Sequence, residues 1–220
     1  LVDVVNGVDL RIDRSETLAV IGESGSGKSV TAASIMGILP SPPARIKAEA
    51  ITVDGRNLLA LSRSERRKMR GREMSLVLQD SLASLNPVKT VGSQIAEMFT
   101  THLGTSRSDA KNQAIELLDR VGIASPRDRF DRYPHEYSGG MRQRAMIAIG
   151  IALGPTLLIA DEPTTALDVT VQAQIIELLA ELQATTSMAI MLITHNIAVA
   201  SAVTHRIAVM YAGRIVESGP

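Results

Sequence analysis

Two hydrophobic patterns alternate along the chain. Short runs dominated by apolar, often β-branched residues predict buried strands at Thr17–Ile21, Met74–Leu78, Leu157–Ala160 and Ala189–Thr194. Between them the period lengthens to that of a helix. Lys28–Gly37 reads as one helix. From about Val91 to Gly122, Ile95, Met98 and Phe99 share one helical face. A second helix over about Ser108–Val121 turns Ile115, Leu118 and Val121 inward, with Gly122 closing it. Val169–Gln183 is helical, with Val171, Ile175, Leu178, Leu179 and Leu182 at the apolar positions. Alternation of apolar and polar residues in Val8–Ile12 and Ala50–Val53 predicts half-buried antiparallel strands. Ile207–Tyr211 and Arg214–Glu217, joined by Ala212–Gly213, predict a terminal hairpin. The whole reads as an α/β fold: a mostly parallel sheet covered on both faces, a small antiparallel sheet at one side and a helical insertion over Asn86–Ser138. No internal repeat or low-complexity tract interrupts it.

Composition narrows the chemistry. With 220 residues, the chain is one large domain or one with a sizeable insertion. Lys plus Arg is 23 and Asp plus Glu is 23, so the net charge is zero, and apolar residues reach 45%. That excludes a disordered chain or a polybasic nucleic-acid arm. No Cys means no disulfide, no thiolate metal site and no Cys nucleophile. Aromatics are only 2%, too few for base-stacking platforms. The longest apolar runs, Met146–Leu153 and Met188–Ile193, fall far short of a membrane span of about 18 residues. The chain opens on Leu1 rather than Met and stops at Gly219–Pro220, so we expect a fragment of a longer protein.

Gly22-Glu23-Ser24-Gly25-Ser26-Gly27-Lys28-Ser29 fits G-x-x-x-x-G-K-[ST] between a predicted strand and a predicted helix. Glycines let backbone N–H groups turn inward as an anion nest, and the following helix adds its positive end. Lys28 is expected to reach the β- and γ-phosphates and the Ser29 hydroxyl to ligate Mg²⁺, with Val30 completing the nucleotide contact. Leu157–Ala160 ends in Asp161 and Glu162, where α/β sheets bind ligands. Asp161 is expected to hold Mg²⁺ and Glu162 to act as general base toward water. An acidic pair alone is usually solvated; the phosphate loop upstream changes that weighing. No Asn-Lys-x-Asp guanine reader occurs. Ser138-Gly139-Gly140-Met141-Arg142-Gln143-Arg144, directly before an apolar helix, is a second anion-binding helix start.

With these motifs in order, nearly the whole chain resembles the nucleotide-binding subunit of an ATP-binding cassette (ABC) transporter. The resemblance implies a RecA-like P-loop core over 1–85 and 139–220, with an antiparallel β subdomain, and a helical subdomain over 86–138. It implies ATP and Mg²⁺ as cofactors. It also implies a second ATPase subunit, identical or different, with ATP sandwiched so that Ser138, Gly139, Gly140 and Gln143 face the partner's nucleotide. Gln79 matches the Q-loop glutamine, at Mg²⁺ or the attacking water. Thr165-Ala166-Leu167-Asp168 matches the D-loop at the dimer interface, and His195 matches the switch histidine on the γ-phosphate.

Ser84-Leu85-Asn86-Pro87, Tyr133-Pro134-His135-Glu136-Tyr137 and Thr164–Gln174 are similar to the bacterial dipeptide, oligopeptide and nickel importer ATPases. That implies work at the cytoplasmic face of the inner membrane, with integral-membrane permease subunits and, indirectly, a periplasmic binding protein, and with no nucleic acid. Leu85, Pro87 and Val91, within Leu82–Leu103, are expected to line the groove that receives the permease. The alternative is a soluble ABC ATPase with a non-transport role, which the single cassette and neutral charge disfavour.

Departures are few. No aromatic precedes Val8 to stack on adenine, Ser15 stands where the family has Gly, and Asn196 stands where it has Asp. The basic run Arg63–Arg72 is read as the solvated face of a short helix rather than a lipid or nucleic-acid patch, and Met141, Met146, Met188, Met191 and Met210 as core filler.

Overall fold

The computed structural model describes residues 2–80, 84–165 and 167–220. Its main sheet has the order β4-β5-β6-β1-β7-β8, with β1 (Thr17–Ile21), β4 (Met74–Val77), β5 (Leu157–Asp161), β6 (Ala189–Thr194), β7 (Arg206–Tyr211) and β8 (Arg214–Gly219). All neighbours pair in parallel except β8, which returns antiparallel to β7 at the edge. The period of two is kept with both faces buried. Leu158, Ala160, Ile190 and Leu192 pack to one side, and Leu18, Val20, Ile159, Met191 and Ile193 to the other.

The second face is covered by α1 (Lys28–Met36) and α2 (Arg63–Met69) and by a two-residue ladder, β2 (Thr52–Val53) with β3 (Arg56–Asn57). The first face is covered by α6 (Gly139–Ile151) and α7 (Val169–Thr186). The helices α3 (Val91–Leu103), α4 (Arg107–Arg120) and α5 (Pro126–Phe130) join the same apolar cluster: Val91, Ile95, Phe99 and Leu118 are continuous with Ile147, Leu158 and Leu192. Finally α8 (Ile197–Val203) seats Ala200 against Ala19 and Ile21. Among the described residues, no helix is long and apolar enough to cross a membrane.

Two expectations are corrected here. Val8–Ile12 alternates in burial, with Val8, Leu10 and Ile12 half-buried, yet no strand forms. The alternation reports which side chains reach the core, not a paired backbone. Leu85 and Val91 are 1% and 0% exposed and belong to the core, so they line no open groove; Pro87 is exposed and Val88 is 80% exposed. Leu82, at the start of that expected groove, lies outside the described residues.

The basic run divides: Arg63, Arg67 and Lys68 are exposed on α2, as a solvated helix face would be, and Arg70 and Arg72 beyond it are tied down. Ser62 caps α2 and forms a capping box with Glu65. Arg70 Nη1 donates to Met36 O at 3.2 Å and Gly37 O at 3.1 Å, and Arg72 Nη2 donates to His102 O at 2.8 Å. These guanidiniums sit at the carbonyl ends of α1 and α3, where a cation is favoured. The methionines named as core filler are buried, except Met141, which packs against the cluster half-buried.

Candidate nucleotide site

Parallel pairing brings four motifs to one edge. In the register, Ile21 lies beside Thr194, Leu192 beside Ala160, and Ala160 beside Val77. The carboxyl ends of β4, β5, β6 and β1 therefore present, side by side, Gln79, Asp161 with Glu162, His195, and the loop Gly22–Gly27. The carboxyl ends of the strands are where open α/β sheets hold ligands.

The phosphate loop is built from its backbone outward. Gly22 is pressed against β7; a Cβ there would lie 2.1 Å from Met210 O. Gly27 ends the loop at φ 106° as the N-cap of α1, a conformation L side chains rarely adopt. No side chain caps this helix and no acidic residue occupies its first turn. Its first N–H groups thus have no side-chain acceptor, as an anion site requires. Lys28 is 5% exposed, and its ammonium donates to Gly22 O at 2.7 Å and Glu23 O at 2.8 Å, with Ser26 Oγ at 3.5 Å. A positive charge is therefore fixed inside the ring of the loop. Glu23, Ser24, Gly25 and Ser29 are exposed, Ser26 is buried and Val30 is half-buried.

Ser29 Oγ donates to Asp161 Oδ1 at 3.0 Å, joining the first turn of α1 to the end of β5. Asp161 is 7% exposed. Burial raises its carboxyl above the usual range, helped by the neighbouring Glu162, while the Ser29 bond and Lys28 pull it back. Hydroxyl, carboxylate and ammonium thus share one small volume.

Glu162 stands just past the strand at φ 47°, a left-handed conformation uncommon for a non-glycine residue. Its backbone N–H donates to Ile193 O at 2.9 Å, tying it to β6. Its two carboxylate oxygens face different partners. Oε2 accepts from Thr165 Oγ1 at 2.8 Å, and Oε1 lies 3.3 Å from His195 Nδ1. His195 is largely exposed, and Asn196 beside it caps α8 by accepting from Ala198 and Val199 N–H. Asn serves that cap as well as Asp does, which accounts for one departure from the family pattern.

Ser138 caps α6, accepting from Met141 N–H at 3.3 Å. Gly139 and Gly140 serve packing and lie within the helix. A Cβ on Gly140 would lie 2.6 Å from Val171 Cγ1, and one on Gly139 3.2 Å from Leu167 Cδ2. Gln143 is 3% exposed and its Nε2 has no hydrogen-bond partner, so it sits under the helix rather than on the presented surface. Tyr137, just before, is buried, and its hydroxyl donates to Arg129 O at 2.9 Å. Desolvation pushes that hydroxyl up to about 12, so it remains a donor near neutral pH. Asp168 caps α7, accepting from Val171 N–H at 3.0 Å; Ala166 of the same loop lies outside the described residues.

Three features were not anticipated from sequence. Thr165 bonds the glutamate. Val169 and Ile197, 81% and 64% exposed, present apolar surface immediately after Asp168 and Asn196. The chain at Val4–Asn6 abuts the loop: Asn6 N–H donates to Gly213 O at 2.8 Å, and Gly213 N–H to Ser26 O at 2.9 Å.

Comparison with known proteins agrees with this geometry. The family profile described as ABC transporter matches residues 5–165. The chain is 50% identical over 218 residues to the oligopeptide transport ATP-binding protein OppD of Bacillus subtilis (strain 168), covering 99% of this chain and 61% of that protein. It is 50% identical over 215 residues to the dipeptide transport ATP-binding protein DppD of Escherichia coli (strain K12), covering 98% and 65%. It thus spans less than two thirds of these curated relatives. Among solved structures, the ATP-binding cassette MJ0796, in a dimeric post-hydrolysis state bound to ADP and Pi, superposes with a TM-score of 0.85 at 25% identity, over 98% of this chain and 90% of that one. The cbiO1 component of the Clostridium perfringens cbiONQ ABC transporter complex superposes with a TM-score of 0.82 at 27% identity, over 98% and 81%. With the motifs, the sheet edge that gathers them and the family match in agreement, the chain belongs to the ABC transporter family.

Proposed function

We propose that this chain is the ATP-hydrolysing part of a subunit that energises a peptide importer. The observation that carries the reading is the single sheet edge on which an uncapped helix start, the Ser29–Asp161 pair and the Glu162–His195 pair meet. A lysine fixed within an anion nest suits a polyphosphate, and the hydroxyl–carboxylate pair beside it suits a hard, oxygen-ligated divalent cation such as Mg²⁺. When bound, that ion neutralises charge on the phosphate oxygens.

The chain's own groups do the rest. Lys28 and the first N–H groups of α1 hold the β- and γ-phosphates. Glu162 takes the proton of a water whose oxygen bonds to the γ-phosphorus as the bond to the bridging oxygen breaks. Gln79, on the neighbouring strand end, orients that water or the ion. His195, beside Glu162, steadies the γ-phosphoryl charge. Ser138, at the start of α6, is assigned to the nucleotide of a second protomer. Gln143 supports that helix from beneath and Asp168 holds the loop at the dimer face. Residues 86–138 are read as a helical subdomain on a core formed by 1–85 and 139–220.

The dimeric cassette with ADP and Pi supports a two-protomer site, and the relatives' names support peptide cargo. The working assembly would pair the chain with membrane permease subunits at the cytoplasmic face, fed by a periplasmic binding protein. The test is ATP turnover by the full-length protein with its permease partners in vesicles. Hydrolysis should require Mg²⁺, cease with EDTA and rise with peptide and its binding protein inside the vesicles. Mg²⁺-independent turnover, or none, contradicts the reading.

A further inference from the structure

We infer that Thr165 is a positioning residue for the hydrolytic glutamate: its hydroxyl fixes the plane of the Glu162 carboxylate and leaves one chosen oxygen to take the proton. The inference rests on the proposed role of Glu162 as general base and adds a residue that the motifs assign only to a dimer contact.

Glu162 is an unusual platform for a base. It lies just beyond the last residue of β5, at φ 47°, where the strand ends. Its backbone is pinned on one side by the bond to Ile193 O. The following turn closes through Thr165 N–H donating to Glu162 O at 3.2 Å. That closure carries the Thr165 side chain back over Glu162, where Oγ1 donates to Oε2 at 2.8 Å. Of the two oxygens, Oε2 is therefore engaged by a neutral donor within the same turn, and Oε1 is directed at His195 Nδ1.

A carboxylate acts as base through one lone pair in one direction, and the rate depends steeply on that direction. Free rotation about the last side-chain bond would spread the basic oxygen over positions that do not face the water. The Thr165 hydroxyl removes that freedom without adding charge, since Thr carries no proton that titrates near neutral pH. His195 cannot do this alone. Its side chain is 62% exposed, and its contact at 3.3 Å is longer than the Thr165 bond.

The test compares Thr165→Val, which keeps the shape and removes the donor, with Thr165→Ser, which keeps the donor. Both are made in the full-length protein and in its Glu162→Gln background. Thr165→Val should lower kcat by about ten- to a hundredfold, with KM for ATP and thermal midpoint unchanged. Thr165→Ser should restore kcat to within about threefold of the parent. In the Glu162→Gln background Thr165→Val should lower the residual rate no further, because the carboxylate it positions is gone. Parental kcat in Thr165→Val, equal losses in Val and Ser, or an undiminished effect in the Glu162→Gln background would overturn the inference. A parent that fails to hydrolyse ATP, or a Glu162→Gln variant that hydrolyses normally, would instead remove the proposed function and this inference with it.

Discussion

The helix starts at the phosphate loop and at the signature both carry glycine, and they use it for opposite reasons. At the phosphate loop, Gly22 lets backbone approach backbone and Gly27 takes a φ of 106°; the helix that follows has no side-chain cap. At the signature, Gly139 and Gly140 lie within helix α6, whose first turn is already capped by Ser138. Their missing side chains make room for Leu167, in the loop before α7, and for Val171 in its first turn. One start is open toward a ligand. The other is packed against its own protomer, with its serine partly satisfied from within. In sequence both read as glycine exposing N–H groups. Only the contacts separate a glycine kept for backbone geometry from one kept for space.

The sharpest way to break this distinction is at Gly22. Gly22→Ala would drive a Cβ into a backbone carbonyl that cannot rotate away, so we expect a loss near 3 kcal/mol, at the top of the overpacking range, together with loss of ATP binding. Thermal unfolding and nucleotide titration measure both. Gly140→Ala meets only a side chain. It should cost about 1–2 kcal/mol and weaken turnover more than ATP affinity, and Val171→Ala in the same chain should restore much of the stability. Gly139→Ala, with 3.2 Å to a flexible leucine terminus, should cost less than either. If Val171→Ala gives no rescue, the packing account of the signature glycines is wrong.

The same contrast explains what could be read without coordinates. The strands were legible because both faces of the sheet are buried, so Thr17–Ile21 and Ala189–Thr194 are apolar almost throughout. The motifs were legible because phosphate and magnesium chemistry admits few residue types. Parallel pairing then determines that Gln79, Asp161, Glu162, His195 and the loop share an edge. What stayed hidden depends on packing or backbone angle. Leu85 and Val91 look like surface apolar residues of a loop and a helix start, yet both are core. Val8–Ile12 carries a strand's alternation, yet among the described residues it pairs with no strand. Helix α8 is seven residues long, too short for a periodic signal. Thr165 reaches Glu162 only because the intervening turn begins at positive φ. Ser15, where the family has Gly, also sits at positive φ, 58°, so that departure leaves a mildly strained residue far from the chemistry.

The most direct measurement of the central claim is the fate of ATP on a Glu162→Gln protein, followed by rapid separation of bound nucleotide. The account predicts that the variant binds Mg·ATP with affinity close to the parent. Hydrolysis should fall by at least about a hundredfold, in line with removal of a general base, leaving nucleotide bound as ATP in a dimer. Recovery of bound ADP at the parental rate would contradict it.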